Sequence, residues 1–197
     1  MNLITLKALK IYANLSREDK ELINKMSKEY ESWNNNLSDK EKYLIRKYTL
    51  NSFDNSKPNR FFERLNRALR GDYNGTDKNK LLDYGKIISN AICKQPTKQS
   101  IICYRGIDID LLSNVEDGSA FKFDQFVSTS IIEKASLKKQ FKYVIIVPEG
   151  TNGAYIEDIS AFKGQFEFLI DYNCTFMLKA RSGKNVYLEV VSNEKDF

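Results

Sequence analysis

Two hydrophobic rhythms divide the chain. Up to about residue 95, apolar positions recur every three or four residues, the spacing of helices with one buried face; from residue 100 they come in short runs or alternate singly, as strands do. "LSREDKELINKMSKEY" opens on Ser16 as an N-cap, and "LSDKEKYLIRKYT" carries Ser38 with Glu41 three residues on, a capping-box spacing. A third helix is expected over 58–70, with Pro58 in its first turn and Gly71 after its last. The fourth runs through "NKLLDYGKIISNAICK", gathering Leu81, Leu82, Tyr84, Ile88, Ala91 and Ile92 near one side. The second half predicts strands in "SIICYRG", "QFVSTS", "YVIIVPEG", "NGAYIED", "GQFEFLI", "TFMLKA" and "NVYLEVV", with "KARSGKN" as the turn of a terminal hairpin. No repeat or low-complexity tract interrupts the pattern, which reads as an α+β protein whose helices pack on sheets.

Within this frame four polar features stand out. On the 58–70 helix, Phe61, Phe62, Leu65 and Leu69 form the buried stripe and Arg60, Arg64, Arg67 and Arg70 the opposite side; Asn66 and Arg70, four residues apart, share a flank. Guanidinium groups match phosphates and carboxylates in two-point geometry, so this face favours an anionic partner over a bare solvated surface. Arg105 closes an apolar strand and precedes Gly106, where another group is free to approach the backbone. In "FVSTS", alternation puts Ser128 and Ser130 on one face and Val127 and Thr129 on the other. In "SAFKGQFEFLI", Phe166, Phe168 and Ile170 make an apolar face after the Gly164 turn, while Gln165 and Glu167 stand on the other face, roughly 6.5–7 Å apart. An edge strand with a solvated face is the ordinary explanation of that last pattern.

Composition narrows the chemistry. The 197 residues suit one folded unit, 1–197, mainly helical over 1–95 and mainly β over 100–192. Of the net charge of +5, all the excess lies in the first half, where residues 1–99 hold 20 Lys/Arg against 12 Asp/Glu. The chain has no histidine, which excludes Ser-His-Asp and Cys-His nucleophile systems and His-ligated metals. Cys93, Cys103 and Cys174 are too few and too far apart for a disulfide framework or zinc knuckle and read as small buried thiols. No apolar run reaches membrane-spanning length, and Lys7 and Lys10 interrupt any signal core at the start.

The order of these features matters more than any one of them: Asn and Arg on a helix, Arg on a strand, Ser-Thr-Ser on a strand, then Gln-x-Glu. In "IRKYT", "LNRALR", "YRG", "FVSTS" and "ISAFKGQFEFLI", spanning 45–170, the sequence resembles the bacterial mono-ADP-ribosyltransferase toxins of the Arg / Ser-Thr-Ser / Glu class, and most of all the clostridial-type exoenzymes that modify Rho GTPases. The resemblance implies an ADP-ribosyltransferase fold of two packed, mainly antiparallel sheets with a helical N-terminal half. It implies NAD as co-substrate and no metal, because nicotinamide leaves as a neutral molecule and a carboxylate suffices to steady the ribose cation. By this likeness Glu167 is the catalytic carboxylate, Ser128 orients it, Arg105, Arg70 and Asn66 grip the phosphate and ribose portion, and Gly106 meets the nicotinamide amide. Gln165 selects the acceptor: in the family, Glu at this place accompanies arginine and Gln accompanies asparagine in Rho. Phe162 matches an aromatic used to recognise the GTPase, and is equally readable as a turn residue tucked into the core.

The resemblance fails in the loop "IIEKASLKKQFKY", where such exoenzymes supply an aromatic and an arginine to NAD; Lys138, Lys139 and Phe141 all stay open, and weaker NAD binding is expected. As partners it implies a Rho-family small GTPase and a separate translocation component, with no nucleic acid and no membrane insertion, for a monomer secreted by a bacterium, its leader absent here, and acting in a host cytosol. Two alternatives stand beside this: the enzymatic half of a two-part toxin, and a non-enzymatic module whose basic arginine face binds nucleic acid.

Overall fold

The computed structural model describes residues 11–50 and 60–193. Helix α1 spans Arg17–Asn35 and α2 spans Asp39–Thr49. Both begin at the serine N-caps that their sequences predict, and both caps are reciprocal: Ser16 Oγ accepts the Asp19 N–H at 3.1 Å, and Ser38 Oγ accepts that of Glu41 at 3.3 Å. Helix α3 spans Phe61–Leu69 and α4 spans Lys78–Ile92. Helix α3 is shorter than expected, starting after Arg60, whose side chain does not cap the free N–H groups of the first turn; Pro58 lies outside the described residues.

Eight strands follow: β1 Ile101–Ile107, β2 Ala120–Lys122, β3 Val127–Ser130, β4 Phe141–Val147, β5 Gly153–Tyr155, β6 Glu167–Ile170, β7 Cys174–Ser182 and β8 Asn185–Asn193. They are hydrogen-bonded in the order β2-β7-β8-β4-β1-β3-β6-β5, antiparallel except for the β4–β8 pair. The α+β class and the antiparallel bias hold. The two sheets of the sequence reading touch edge to edge: β1 and β3 are in register at one pair only, Tyr104↔Ser130, so five strands and three strands meet at a narrow seam.

Position β6 differs from its reading as an edge strand. It lies between β3 and β5, and all four of its residues are buried. The strand also starts at Glu167, because Phe166 has φ +49, in the left-handed region that breaks an extended chain. Gln165 therefore precedes the strand, and the side-by-side spacing of a regular strand does not apply to it.

The helices hold this three-strand end in place. Ile23, Met26, Tyr30 and Trp33 form the buried side of α1; the Trp33 indole donates to the Ala91 carbonyl on α4 at 2.8 Å, and the Tyr30 ring meets Phe168 of β6 edge-on. Helices α3 and α4 approach closely at Gly85, where a β-carbon would sit 3.1 Å from Leu69 Cδ2 and 3.4 Å from Leu65 Cδ1. Leu65 is 0% exposed. Leu65→Ala is expected to leave a cavity at this crossing and cost about 2–5 kcal/mol, read as a lower urea midpoint with an unchanged slope.

Candidate active site

Where β1 and β3 part beyond their one registered pair, a cleft of about 220 Å³ opens. β1 lines it with Tyr104, Arg105 and Gly106, β3 with Ser128, Thr129 and Ser130, and the β6 entrance with Gln165 and Glu167; Tyr48 and Thr49 of α2 and Phe62 and Asn66 of α3 close the helical side. Six residues singled out by sequence, Asn66, Arg105, Gly106, Ser128, Gln165 and Glu167, thus converge from four elements.

Register explains the central contact. Ser130 pairs with Glu167 and Ser128 with Leu169, so Ser128 and Glu167 are diagonal neighbours on one face of the β3–β6 ladder. The Ser128 hydroxyl donates to Glu167 Oε1. Arg105 Nη1 donates to the Ser128 carbonyl at 2.6 Å, bridging the seam where the strands separate. Thr129 turns away and donates to the Phe168 carbonyl at 2.7 Å, while Ser130 Oγ bonds the Ile132 backbone. The hydroxyl wall is therefore one serine that reaches the carboxyl, with two residues that bond the backbone behind it.

Glu167 is only 4% exposed. Burial pushes its pKa from an ordinary 4.5 to about 7, helped by the negative charge of Glu157, while the Ser128 hydrogen bond and the Arg105 charge pull the other way. Near neutrality the carboxyl is poised between its two forms.

The other residues named from sequence separate into those near the reacting centre and those away from it. Asn66 is buried and exchanges hydrogen bonds with the Tyr48 hydroxyl, donating through Nδ2 at 3.0 Å. Arg70 does not share that contact and is absent from the cleft lining; it caps α3 and bonds Gln125 and, at 3.2 Å, Asp72. The remaining arginines of the α3 face also have acidic neighbours, Arg60 in Glu63, Arg64 in Asp77 and Arg67 in Asp72, the last shared with Arg70. Phe162 is half-buried and outside the lining. Gly106 is needed where it stands: a β-carbon there would lie 1.9 Å from the Leu137 carbonyl oxygen.

That contact shows what the loop after Ser-Thr-Ser contributes. Ala135, Ser136 and Leu137 line the cleft, whereas Lys139 is tied to Asp108 at 2.7 Å and Phe141 opens β4. Sequence reasoning also missed Tyr48 and Glu157. Tyr48 sits on the buried stripe of α2 with Leu44 and Ile45, and a phenol among aliphatic stripe residues is the available signal; Glu157, an acid in a turn-rich stretch, carries none. Among the described residues no group of His, Cys, Asp and Glu is arranged to hold a metal ion, and no helix is long and apolar enough to cross a membrane.

A family model described as "ADP-ribosyltransferase exoenzyme" matches residues 26–195. The chain belongs to the ADP-ribosyltransferase exoenzyme family. A relative in sequence is the NAD(+)–arginine ADP-ribosyltransferase EFV of Enterococcus faecalis, 33% identical over 128 residues, which are 60% of this chain and 26% of that protein. The chain thus spans about a quarter of the length of this relative. Among solved structures, the ADP-ribosyltransferase toxin Plx2a from Paenibacillus larvae superposes with a TM-score of 0.72 at 23% identity, covering 88% of this chain and 97% of that one. C3stau2 from S. aureus, solved with NAD, gives 0.69 at 19% identity, covering 86% and 94%. At these identities the structural likeness establishes the exoenzyme fold.

The buried carboxyl makes a stability prediction. Its folded pKa, about 7, lies above the ordinary 4.5, so between those values the folded chain holds a proton that the unfolded chain releases. Stability contributed by this group therefore falls as pH rises from about 4.5 to 7 and stays low above it, by up to about 3 kcal/mol. Glu167→Gln, neutral at every pH, is expected to raise the melting temperature relative to the wild type more at pH 8 than at pH 5, measured by thermal denaturation at both.

Proposed function

We propose that this chain transfers ADP-ribose from NAD to an asparagine side chain of a Rho-type small GTPase, releasing nicotinamide, with slow NAD hydrolysis as a side reaction. The observation that carries the reading is the buried Glu167 carboxyl, held by Ser128 and facing the same cleft as Arg105 and Gln165. Family membership supports the reaction class, and a fold neighbour solved with NAD supports the co-substrate.

The cleft is smaller than the roughly 300–1,000 Å³ of pockets that enclose whole ligands, which suits it to the nicotinamide and its ribose, with the rest of the dinucleotide lying outward. When the bond from ribose to nicotinamide breaks, its electron pair leaves with the ring nitrogen and positive charge develops on the ribose. The ionised Glu167 steadies that charge in a site shielded from water, where an electrostatic contact is strongest, and accepts a ribose hydroxyl. Ser128 keeps the carboxylate aimed. Arg105 neutralises phosphate charge, and Asn66, already fixed by Tyr48, contacts the ribose. Arg70 reaches phosphate by exchanging its bonds to Gln125 and Asp72 for it. Gly106 offers its backbone to the nicotinamide amide.

The acceptor follows from Gln165. An amide donates and accepts at once, so it pairs with an asparagine amide in both directions, whereas a carboxylate at this position suits a guanidinium. The relative from E. faecalis is named for arginine. Phe162, on the same connection and half-buried, is the candidate for contact with the GTPase surface.

Incubation with labelled NAD and a Rho GTPase, followed by mass spectrometry, is expected to show ADP-ribose on asparagine; modification of arginine would reject the acceptor assignment. Glu167→Gln is expected to lower both transfer and NAD hydrolysis at least a hundredfold, and Gln165→Ala to lower transfer at least tenfold more than hydrolysis; equal losses would refute separate roles. Because the ionised carboxylate acts, kcat/KM for NAD hydrolysis is expected to rise about tenfold per pH unit toward an inflection at about 7 and level off above it; an inflection at the ordinary carboxylate value would contradict it.

A further inference from the structure

Gln165 owes its place to a carboxylate eight residues earlier. Glu157 follows β5 and is 8% exposed. Its Oε1 accepts the Gly164 N–H at 2.5 Å and its Oε2 accepts the Phe166 N–H at 2.7 Å. The amides immediately before and after Gln165 therefore converge on one side chain, with both carboxylate oxygens occupied. Phe166 is held at φ +49, a backbone that a phenylalanine adopts only where its surroundings impose it. The loop is anchored on its far side as well: Thr49 Oγ1 accepts the Ala161 N–H at 2.8 Å, and Lys163 Nζ donates to the Glu157 carbonyl at 2.5 Å. Gln165, between the clamped peptides, is left half-buried in the cleft lining.

We infer that Glu157 is a positioning residue for transfer to protein, its carboxylate clamping the peptide groups on both sides of Gln165 so that the amide meets the acceptor in one orientation. This rests on the assignment of Gln165 to the acceptor made above. Glu157 touches neither the cleft nor its contents; it acts through the backbone. A charge at this place also has a long-range effect. It raises the pKa of Glu167, against the opposing pull of Ser128 and Arg105, with Tyr48 the further titratable group beside that site. Lys163 faces Glu157 directly, with Asp158 and Arg46 close to Lys163, so the loop is held by a local balance of both signs.

Two substitutions separate the clamp from the charge. Glu157→Gln removes the charge and leaves one acceptor oxygen, setting its NH₂ against a backbone N–H. Glu157→Asp keeps the charge on a stem one methylene shorter, which cannot span both amides. Both are expected to lower transfer to the GTPase at least tenfold more than they lower NAD hydrolysis. Only Glu157→Gln is expected to move the inflection of the hydrolysis pH profile acidward, since only it removes the repulsion on Glu167. Parallel losses of both reactions in the two variants, or transfer left intact in both, would overturn the inference. Amide hydrogen exchange on the wild type gives a second decision that needs no variant to fold: Gly164 and Phe166 are expected to be protected at least a hundredfold, and exchange at the free-loop rate overturns the clamp. Labelling of arginine in the wild type, by contrast, would remove the acceptor assignment while leaving the exchange result to decide the clamp.

Discussion

The hydrogen bond from Ser128 to Glu167 is the contact on which the site depends, and it exists only because of where two strands meet. Register pairs Ser130 with Glu167, which puts Ser128 on the diagonal and within reach. A shift of one residue would turn Glu167 toward the opposite face of the sheet and bury Phe168 in the cleft. The core enforces the register: Phe168, Leu169 and Ile170 are all 0% exposed, and Tyr30 of α1 packs edge-on against Phe168. The apolar half of β6 is thus what fixes the position of its one carboxylate.

That carboxylate is costly to the fold. Removing a charge from water without a full ion-pair partner is unfavourable, and here Arg105 Nη1 donates to the Ser128 carbonyl rather than to Glu167 itself. Its hydrogen-bond partner is a neutral hydroxyl, and the charge of Glu157 adds repulsion. In the proposed reaction such an arrangement is an advantage, because negative charge left incompletely satisfied in the free protein would be available to a developing ribose cation. The α3 arginines show the contrast: each has an acidic neighbour at its side, Arg67 and Arg70 sharing Asp72.

Much of this was legible beforehand, for identifiable reasons. Ser16 and Ser38 announce their helices because caps are local chemistry, and the Arg, Ser-Thr-Ser and Gln-x-Glu positions announce the cleft because side-chain type is visible in sequence. What remained hidden depends on the course of the backbone. β2 is three residues long and carries no periodic signal. The left-handed turn at Phe166, which delays the start of the strand to Glu167, has no glycine or asparagine at that position to mark it. Glu157 became meaningful only when the loop closed upon it, and the shared seam at Tyr104↔Ser130 is a property of two strands distant in sequence. Arg70 shows the converse: its helical spacing from Asn66 is real, yet the bonds of its guanidinium to Gln125 and Asp72 depend on tertiary neighbours that spacing does not reveal.

Direct titration of the Glu167 side-chain carboxyl in the free protein, followed by carbon-13 NMR, reaches the centre of this arrangement without invoking any substrate. A buried carboxyl held by one hydroxyl and repelled by Glu157 is expected to titrate with a midpoint at about 7. A midpoint at the ordinary 4.5 would mean that water or a cation already satisfies it, and the site would have no unspent charge to offer.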